Sequence, residues 1–103
     1  MTIVKIKISG VTFELDSELL IGESRRFSQR PGKLPDLVRN AVQKGDDLDF
    51  SFSRPSDMFG SILGFYQTDE LHMPMWICPG AYRKELEFWG IDTSYLEPCC
   101  KTR

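Results

Sequence analysis

The sequence predicts a mixed α/β (α+β) domain, and three observations support this prediction. The chain opens with an alternation of apolar and polar residues that is typical of half-buried strands. Later segments place apolar residues at helical spacing. Strand-like and helix-like segments follow one another without an internal repeat in a chain of 103 residues, which is near the commonest size of a domain with one core. We therefore expect residues 1–103 to form a single domain.

A β-hairpin is predicted from residue 3 to residue 15. Val4, Ile6 and Ile8 alternate with lysines, which is the period of a strand with one buried face. The dipeptide Ser9-Gly10 is suited to a two-residue turn before the apolar positions that follow it. These features predict two antiparallel strands at the start of the chain.

Two helices separated by a loop are predicted after the hairpin. Asp16 or Ser17 can cap a short first helix, and the polar segment 22–32 is predicted to be a loop. The second helix is indicated by Pro35 near its start and Gly45 just past its end. Its apolar residues recur at helical spacing: Leu34, Leu37, Val38, Ala41 and Val42.

The second half of the chain repeats this succession of elements. A strand is indicated by apolar residues two apart: Leu48, Phe50 and Phe52. Ser56 or Asp57 can cap the next helix, whose apolar face would contain Met58, Phe59, Ile62, Leu63 and Tyr66. A further helix is predicted from Gly80 to Trp89, with Gly90 suited to a left-handed end. Asp92 or Thr93 can open one last turn before Pro98.

Composition and charge disfavour several classes of function. Hydrophobic residues at 41%, charged residues at 27% and a net charge of −2 are ordinary for a globular protein and argue against general nucleic-acid binding. A local basic stretch is interpreted as part of a solvated loop: Arg25, Arg26, Arg30 and Lys33. The apolar runs are too short for a membrane span, and the first residues do not resemble a signal peptide. The reducing cytosol, where disulfides are rare, is the expected compartment.

The histidine and the cysteines are the chain's most informative residues. Its one histidine and three cysteines are His72, Cys78, Cys99 and Cys100. One imidazole and three thiolates are the number and kind of ligands that a tetrahedral structural zinc site requires. The sequence spacing differs from the two tight ligand pairs of a self-contained finger. Since adjacent side chains of an extended segment point to opposite faces, Cys99 and Cys100 can reach one ion only where the backbone turns.

Other uses of these residues stay open at this point. Free cysteine is among the most buried residue types, and a lone histidine is usually an ordinary surface or core residue. A disulfide between Cys99 and Cys100 would be strained and is not expected in the cytosol. Thiol catalysis is disfavoured because no acidic partner for His72 can be identified. Four protein ligands would leave zinc no position for water or substrate, so we expect structural zinc and no enzymatic activity.

Two segments resemble the cytoplasmic tetramerisation domain of voltage-gated potassium channels. The middle of that domain is similar to the run from Phe50 to Pro74, FSFSRPSDMFGSILGFYQTDELHMP. The non-Shaker branch, and the Shaw type most of all, resembles the run from Lys84 to Cys100, KELEFWGIDTSYLEPCC. The spacing of the histidine and the three cysteines is similar to that branch's zinc motif at all four positions.

The resemblance implies a BTB/POZ-like fold, in which a small sheet is covered by helices. It also implies that zinc lies between neighbouring subunits of a fourfold ring. By position, His72, Cys99 and Cys100 would come from one subunit and Cys78 from its neighbour. Such a head-to-tail contact can close into a ring, which would explain why one chain lacks two local ligand pairs.

Channel assembly is the function that the resemblance implies. The chain would be a zinc-linked homotetramerisation module on the cytosolic face of the plasma membrane, joined to the membrane only through a parent channel. It would select compatible subunits, with related channel subunits and auxiliary subunits as further candidate partners. The alternative is a BTB-type adaptor, such as a ubiquitin-ligase scaffold, which membrane spans downstream in the parent chain would exclude. A monomeric zinc module contacting nucleic acid fits poorly with the negative net charge.

Overall fold

The computed structural model describes residues 2–101, in which a small sheet is combined with helices. The elements are β1 (Ile3–Ile8), β2 (Val11–Asp16), α1 (Glu18–Ile21), α2 (Lys33–Lys44), β3 (Asp49–Phe52), α3 (Ser56–Thr68), α4 (Pro79–Trp89), a 3₁₀ turn (Thr93–Tyr95) and α5 (Pro98–Lys101). The predicted mixed α/β class is confirmed.

The sheet has three strands in the order β2-β1-β3. β1 pairs antiparallel with β2 and parallel with β3. The predicted hairpin is confirmed, and Ser9 and Gly10 both have positive φ, 48° and 90°, as a type I′ turn requires. Three apolar side chains of β1, the central strand, are fully buried, namely Val4, Ile6 and Ile8, whereas Ile3 at the start of the strand is 51% exposed.

The core lies where these side chains of β1 meet the apolar faces of the helices. Its largest fully buried members come from α3 and α4: Phe59, Phe65, Tyr66, Tyr82 and Trp89. The predicted apolar face of α3 is largely correct, although Met58 and Leu63 are only partly buried. On α2, however, Val42 is 51% exposed. Ala41, the residue before it, is buried, so the helix packs against the core at Ala41 and leaves Val42 at the surface.

The structure confirms the two helix ends that were predicted at glycines, and it corrects the predicted start of α3. Gly45 and Gly90 follow α2 and α4 in the left-handed conformation, with φ of 74° and 70°, as predicted. At the start of α3, Pro55 occupies the cap position, so Ser56 and Asp57 lie inside the helix and neither caps it. The first turn of a helix tolerates polar residues of this kind, which is why the sequence could not distinguish the two positions.

An aspartate accepts a backbone hydrogen bond at each of the two other predicted caps, although Ser17 occupies the cap position of α1. The Oδ1 atom of Asp16 accepts a hydrogen bond from the backbone N–H of Glu18 at 3.0 Å, at the start of α1. The Oδ1 atom of Asp92 accepts one from Ser94 at 2.8 Å, at the start of the 3₁₀ turn. In each pair of candidates, the side chain with a carboxylate acceptor makes the bond.

The polar loop between α1 and α2 is held by two of its arginines. Arg30 donates to the carbonyl oxygens of Glu18, Gly22 and Glu23 at 2.9–3.0 Å. Arg26 donates to the carbonyl oxygen of Asp69 at 2.5 Å. The segment is a loop as predicted, but the inference that its basic residues are simply solvated was wrong for these two. Their guanidinium groups tie the loop to the carbonyl oxygens of Glu18 in α1 and Asp69 at the end of α3.

Candidate metal centre

A backbone contact between two distant segments builds the candidate metal centre. Leu71 and Leu96 form a parallel β-bridge, and the N–H of Glu97 donates to the carbonyl oxygen of Leu71 at 3.0 Å. Both leucines are buried, at 0% and 3% exposure. Because residue 72 follows one partner of the bridge and residues 99 and 100 follow the other, this contact brings the three ligands into one place.

His72 points outward because its segment is extended and its side chains alternate between the core and the surface. Leu71 and Met73 are buried on either side of the exposed His72, as expected where successive side chains of an extended segment point to opposite faces. The backbone N–H of Met73 donates to the sulfur of Cys100 at 3.3 Å. The same short segment thus supplies one ligand and a hydrogen bond to another.

The turn of α5 brings the two adjacent cysteines together. The N–H of Cys100 donates to the carbonyl oxygen of Glu97 at 2.8 Å, and the sulfurs of Cys99 and Cys100 lie 3.8 Å apart. Cys100 is buried and Cys99 is exposed. The sequence required a turn of the backbone for both thiols to reach one ion, and α5 provides it.

The distances between the three ligand atoms fit a tetrahedral zinc ion. Nδ1 of His72 lies 3.5 Å from the sulfur of Cys99 and 3.8 Å from that of Cys100. With Zn–S near 2.3 Å and Zn–N near 2.0–2.1 Å, tetrahedral ligand atoms are about 3.5 Å apart for nitrogen and sulfur and about 3.8 Å for two sulfurs. The residues present therefore suit zinc in both chemistry and spacing.

A carboxylate orients the histidine ring. Nε2 of His72 lies 2.9 Å from Oε1 of Glu70, so this nitrogen carries the proton and leaves Nδ1 free to bind a metal. The hydrogen bond to Glu70, followed by that to Cys100, raises the pKa of His72 above its ordinary value. Glu70 was not identified from the sequence. Its position two residues before His72 in an extended segment, on the same face, is the signal that could have found it.

The two adjacent thiols differ in their acidity. Burial raises the pKa of Cys100, but the N–H of Met73 and the nearby His72 and Cys99 side chains outweigh it and leave that pKa below its ordinary value. The hydrogen bond to Cys100 raises the pKa of Cys99. Cys100 is therefore the thiol that this environment favours as a thiolate, the form that binds metal.

Cys78 stands apart from the other three ligands. The group of ligand atoms that lie within 4.8 Å of one another in residues 2–101 contains His72, Cys99 and Cys100 but not Cys78. Cys78 is exposed at the N-terminal end of α4, immediately before Pro79. The backbone N–H groups of Ala81 and Gly80 lower the pKa of Cys78, which favours its thiolate form.

The fold and the comparison with known proteins agree on a family. The chain belongs to the BTB/POZ domain family, because the sequence model of that family matches residues 4–99. This confirms the fold and the family resemblance that the sequence predicted. Within residues 2–101, none of the helices has both the length and the apolar character that crossing a bilayer would require.

Similar proteins include subunits of voltage-gated potassium channels. The chain is 46% identical over 52 residues to the voltage-gated potassium channel KCNC1 of Mus musculus, covering 50% of this chain and 10% of that protein. It is 42% identical over 52 residues to the voltage-gated potassium channel KCNC4 of Homo sapiens, covering 50% of this chain and 8% of that protein. The voltage-gated potassium channel regulatory subunit KCNF1 of Homo sapiens is 37% identical over 62 residues, covering 55% and 13%. The matched segment is thus about a tenth of the length of these relatives.

Proposed function

We propose that this chain is the cytoplasmic assembly module of a voltage-gated potassium channel and that it forms a zinc-linked homotetramer. His72, Cys99 and Cys100 of one subunit and Cys78 of the next would hold each ion. The module is not an enzyme in this proposal, and it lies on the cytosolic face of the plasma membrane through its parent channel. The family match and the channel relatives support this proposal.

The spacing of the three-ligand cluster is the observation that carries the proposal. Its distances of 3.5, 3.8 and 3.8 Å suit three corners of a zinc tetrahedron. Since the chain has one histidine and three cysteines, Cys78 is the remaining ligand of the type that structural zinc prefers. Its sulfur lies outside the cluster of its own chain. A neighbouring copy can supply it, and a head-to-tail contact of this kind can close into a ring.

Zinc at the interface would also select subunits. A neighbour without a cysteine at the position of Cys78 would leave thiolates of the cluster at the interface without the ion that compensates their charge, which is unfavourable. Selection of this kind depends on penalising the wrong partner as well as stabilising the right one. We propose that the chain assembles with subunits that carry all four ligands, in keeping with the Shaw-type spacing of its motif.

The test is the solution mass measured together with the zinc content. Under reducing conditions with zinc present, we expect a tetramer with about one ion per chain, and removal of zinc by a chelator should shift the mass toward monomer. Cys78→Ser should prevent zinc-dependent assembly while keeping the circular dichroism of the folded chain. Wild-type chains that stay monomeric with zinc at every protein concentration would exclude the proposal.

A further inference from the structure

Two large apolar side chains are exposed beside Cys78. Met75 is 86% exposed and Trp76 is 66% exposed, the highest values among the large apolar residues that are exposed in residues 2–101. Both residues precede Cys78, in the segment that connects His72 to α4. Ile77, between Trp76 and Cys78, is buried at 8% exposure, so the segment is anchored to the core while Trp76 points away from it.

A groove with a volume of about 360 Å³ lies beside the metal cluster. Its lining comes from α3 and from the segment that contains His72: Ser61, Gly64, Thr68, His72, Met73 and Pro74. Glu70, the partner of the histidine ring, also borders it. A Cβ atom added at Gly64 would meet no other atom within 4 Å, so the groove is open above this glycine.

We propose that Trp76 of one copy of the chain docks in the groove beside His72 of the next copy. This inference rests on the proposed function, because it uses the contact that brings Cys78 of one copy to the cluster of another. Two residues of extended chain span at most roughly 7 Å. A neighbour that places Cys78 at the cluster therefore also places Trp76 within reach of the groove, which begins at His72.

The positions of Trp76 and of the groove favour a second copy as the occupant. In its own chain Trp76 remains exposed, so it does not fill its own groove. The groove shares His72 with the cluster, and thus continues the contact proposed for zinc. A buried tryptophan at the centre of an interface is among the side chains that contribute most to association. Zinc would fix the register of the two copies, and Trp76 would add apolar contact.

Two substitutions test the docking from its two sides. Trp76→Ala removes the anchor, and Gly64→Leu places a side chain in the groove at a position where an added Cβ atom would meet no neighbouring atom within 4 Å and where leucine has a higher helix propensity than glycine. Each should weaken zinc-dependent association at least about tenfold, measured by sedimentation. The double variant should associate no more weakly than the weaker of the two single variants, because both changes remove the same contact.

The matched controls are Val42→Ala, at an exposed valine, and Gly60→Leu, at an open glycine outside the groove lining. Both should have little effect on zinc-dependent association.

Fluorescence gives a second readout that does not depend on affinity. The chain has two tryptophans, and Trp89 is fully buried. Iodide should quench Trp76 in the zinc-free chain and lose access to it on assembly, with Trp76→Phe reporting Trp89 alone. If the wild type assembles with zinc but Trp76 stays accessible, or if either single substitution leaves the association unchanged, the docking is wrong while the proposed function stands. If zinc produces no assembly of the wild type, the proposed function itself fails.

Discussion

At the scale of single residues, His72 is held from three directions. Its Nε2 atom lies 2.9 Å from Glu70, and its carbonyl oxygen accepts a hydrogen bond from the hydroxyl of Tyr82 at 3.3 Å. Its neighbours Leu71 and Met73 are buried. These contacts fix the ring so that Nδ1 faces both thiols. A metal ion that binds there finds its ligands already arranged, which lowers the entropic cost of binding.

The orienting carboxylate gives a prediction at this scale. Glu70→Ala should weaken zinc binding by about 10- to 100-fold, the usual effect of losing a partner that orients a metal-binding histidine. Glu70→Gln keeps an acceptor oxygen and should lose less. Competition with a chelator of known affinity measures the difference. The control is Glu87→Ala, at an exposed glutamate of α4. Equal zinc affinity in Glu70→Ala and the wild type would show that the carboxylate does not orient the ring.

At the scale of elements, a partly buried ion pair joins the segment after β3 to α4. Glu85 on α4 is 1% exposed, and its carboxylate lies 2.6 Å from Nη2 of Arg54. The indole N–H of Trp89 donates to the other carboxylate oxygen at 3.0 Å. The buried charge is therefore compensated on both oxygens. Cys78 immediately precedes α4 as its cap residue, so this pair helps to position Cys78.

Removing the arginine should destabilise the fold. Arg54→Ala leaves the buried carboxylate of Glu85 without its cation, and we expect a loss of about 2 kcal/mol in the free energy of unfolding, measured by urea denaturation. The value is below the 3–5 kcal/mol of fully buried pairs because a third of the Arg54 side chain is exposed. Arg39→Ala breaks a pair whose Asp36 partner is 71% exposed and should cost less than about 1 kcal/mol. Equal losses in the two variants would contradict this account of Glu85.

How far the sequence predicts an element depends on the range of the interactions that determine it. Local features were sufficient to predict the Ser9-Gly10 turn and the end of α4 at Gly90, because backbone conformation and capping involve neighbouring residues. The pairing of Arg54 with Glu85 joins residues far apart in sequence, and a glutamate within a helical pattern gives no sign that it is buried. The bridge between Leu71 and Leu96, which assembles the metal cluster, is non-local for the same reason. Residue type alone predicted the four candidate ligands, while the grouping of three of them required the fold.

At the scale of the whole molecule, the chain presents its candidate zinc ligands on two different surfaces. One holds the cluster of His72, Cys99 and Cys100, and the other exposes Cys78 at the start of α4. Neither surface provides four candidate ligands, and in the proposed arrangement two copies would meet head to tail to complete a site. The core residues that maintain each fold, such as Ile62 and Leu86, are buried without any contribution from metal. Loss of zinc should thus affect association much more than folding.

The most direct test of this arrangement mixes two variants that are each expected to lose zinc binding and assembly. Cys78→Ala keeps the cluster, and His72→Ala keeps Cys78, so neither alone can form a complete site. Mixed, they should regain zinc and assembly at interfaces where His72→Ala supplies Cys78 to the cluster of Cys78→Ala. The matched control mixes His72→Ala with Cys99→Ala, whose lesions fall on the same surface, and should regain nothing. Recovery of zinc in the first mixture and not in the second is the predicted result. If the wild type binds zinc but the first mixture recovers no more than its separate components, all four ligands belong to one chain and the shared site is wrong.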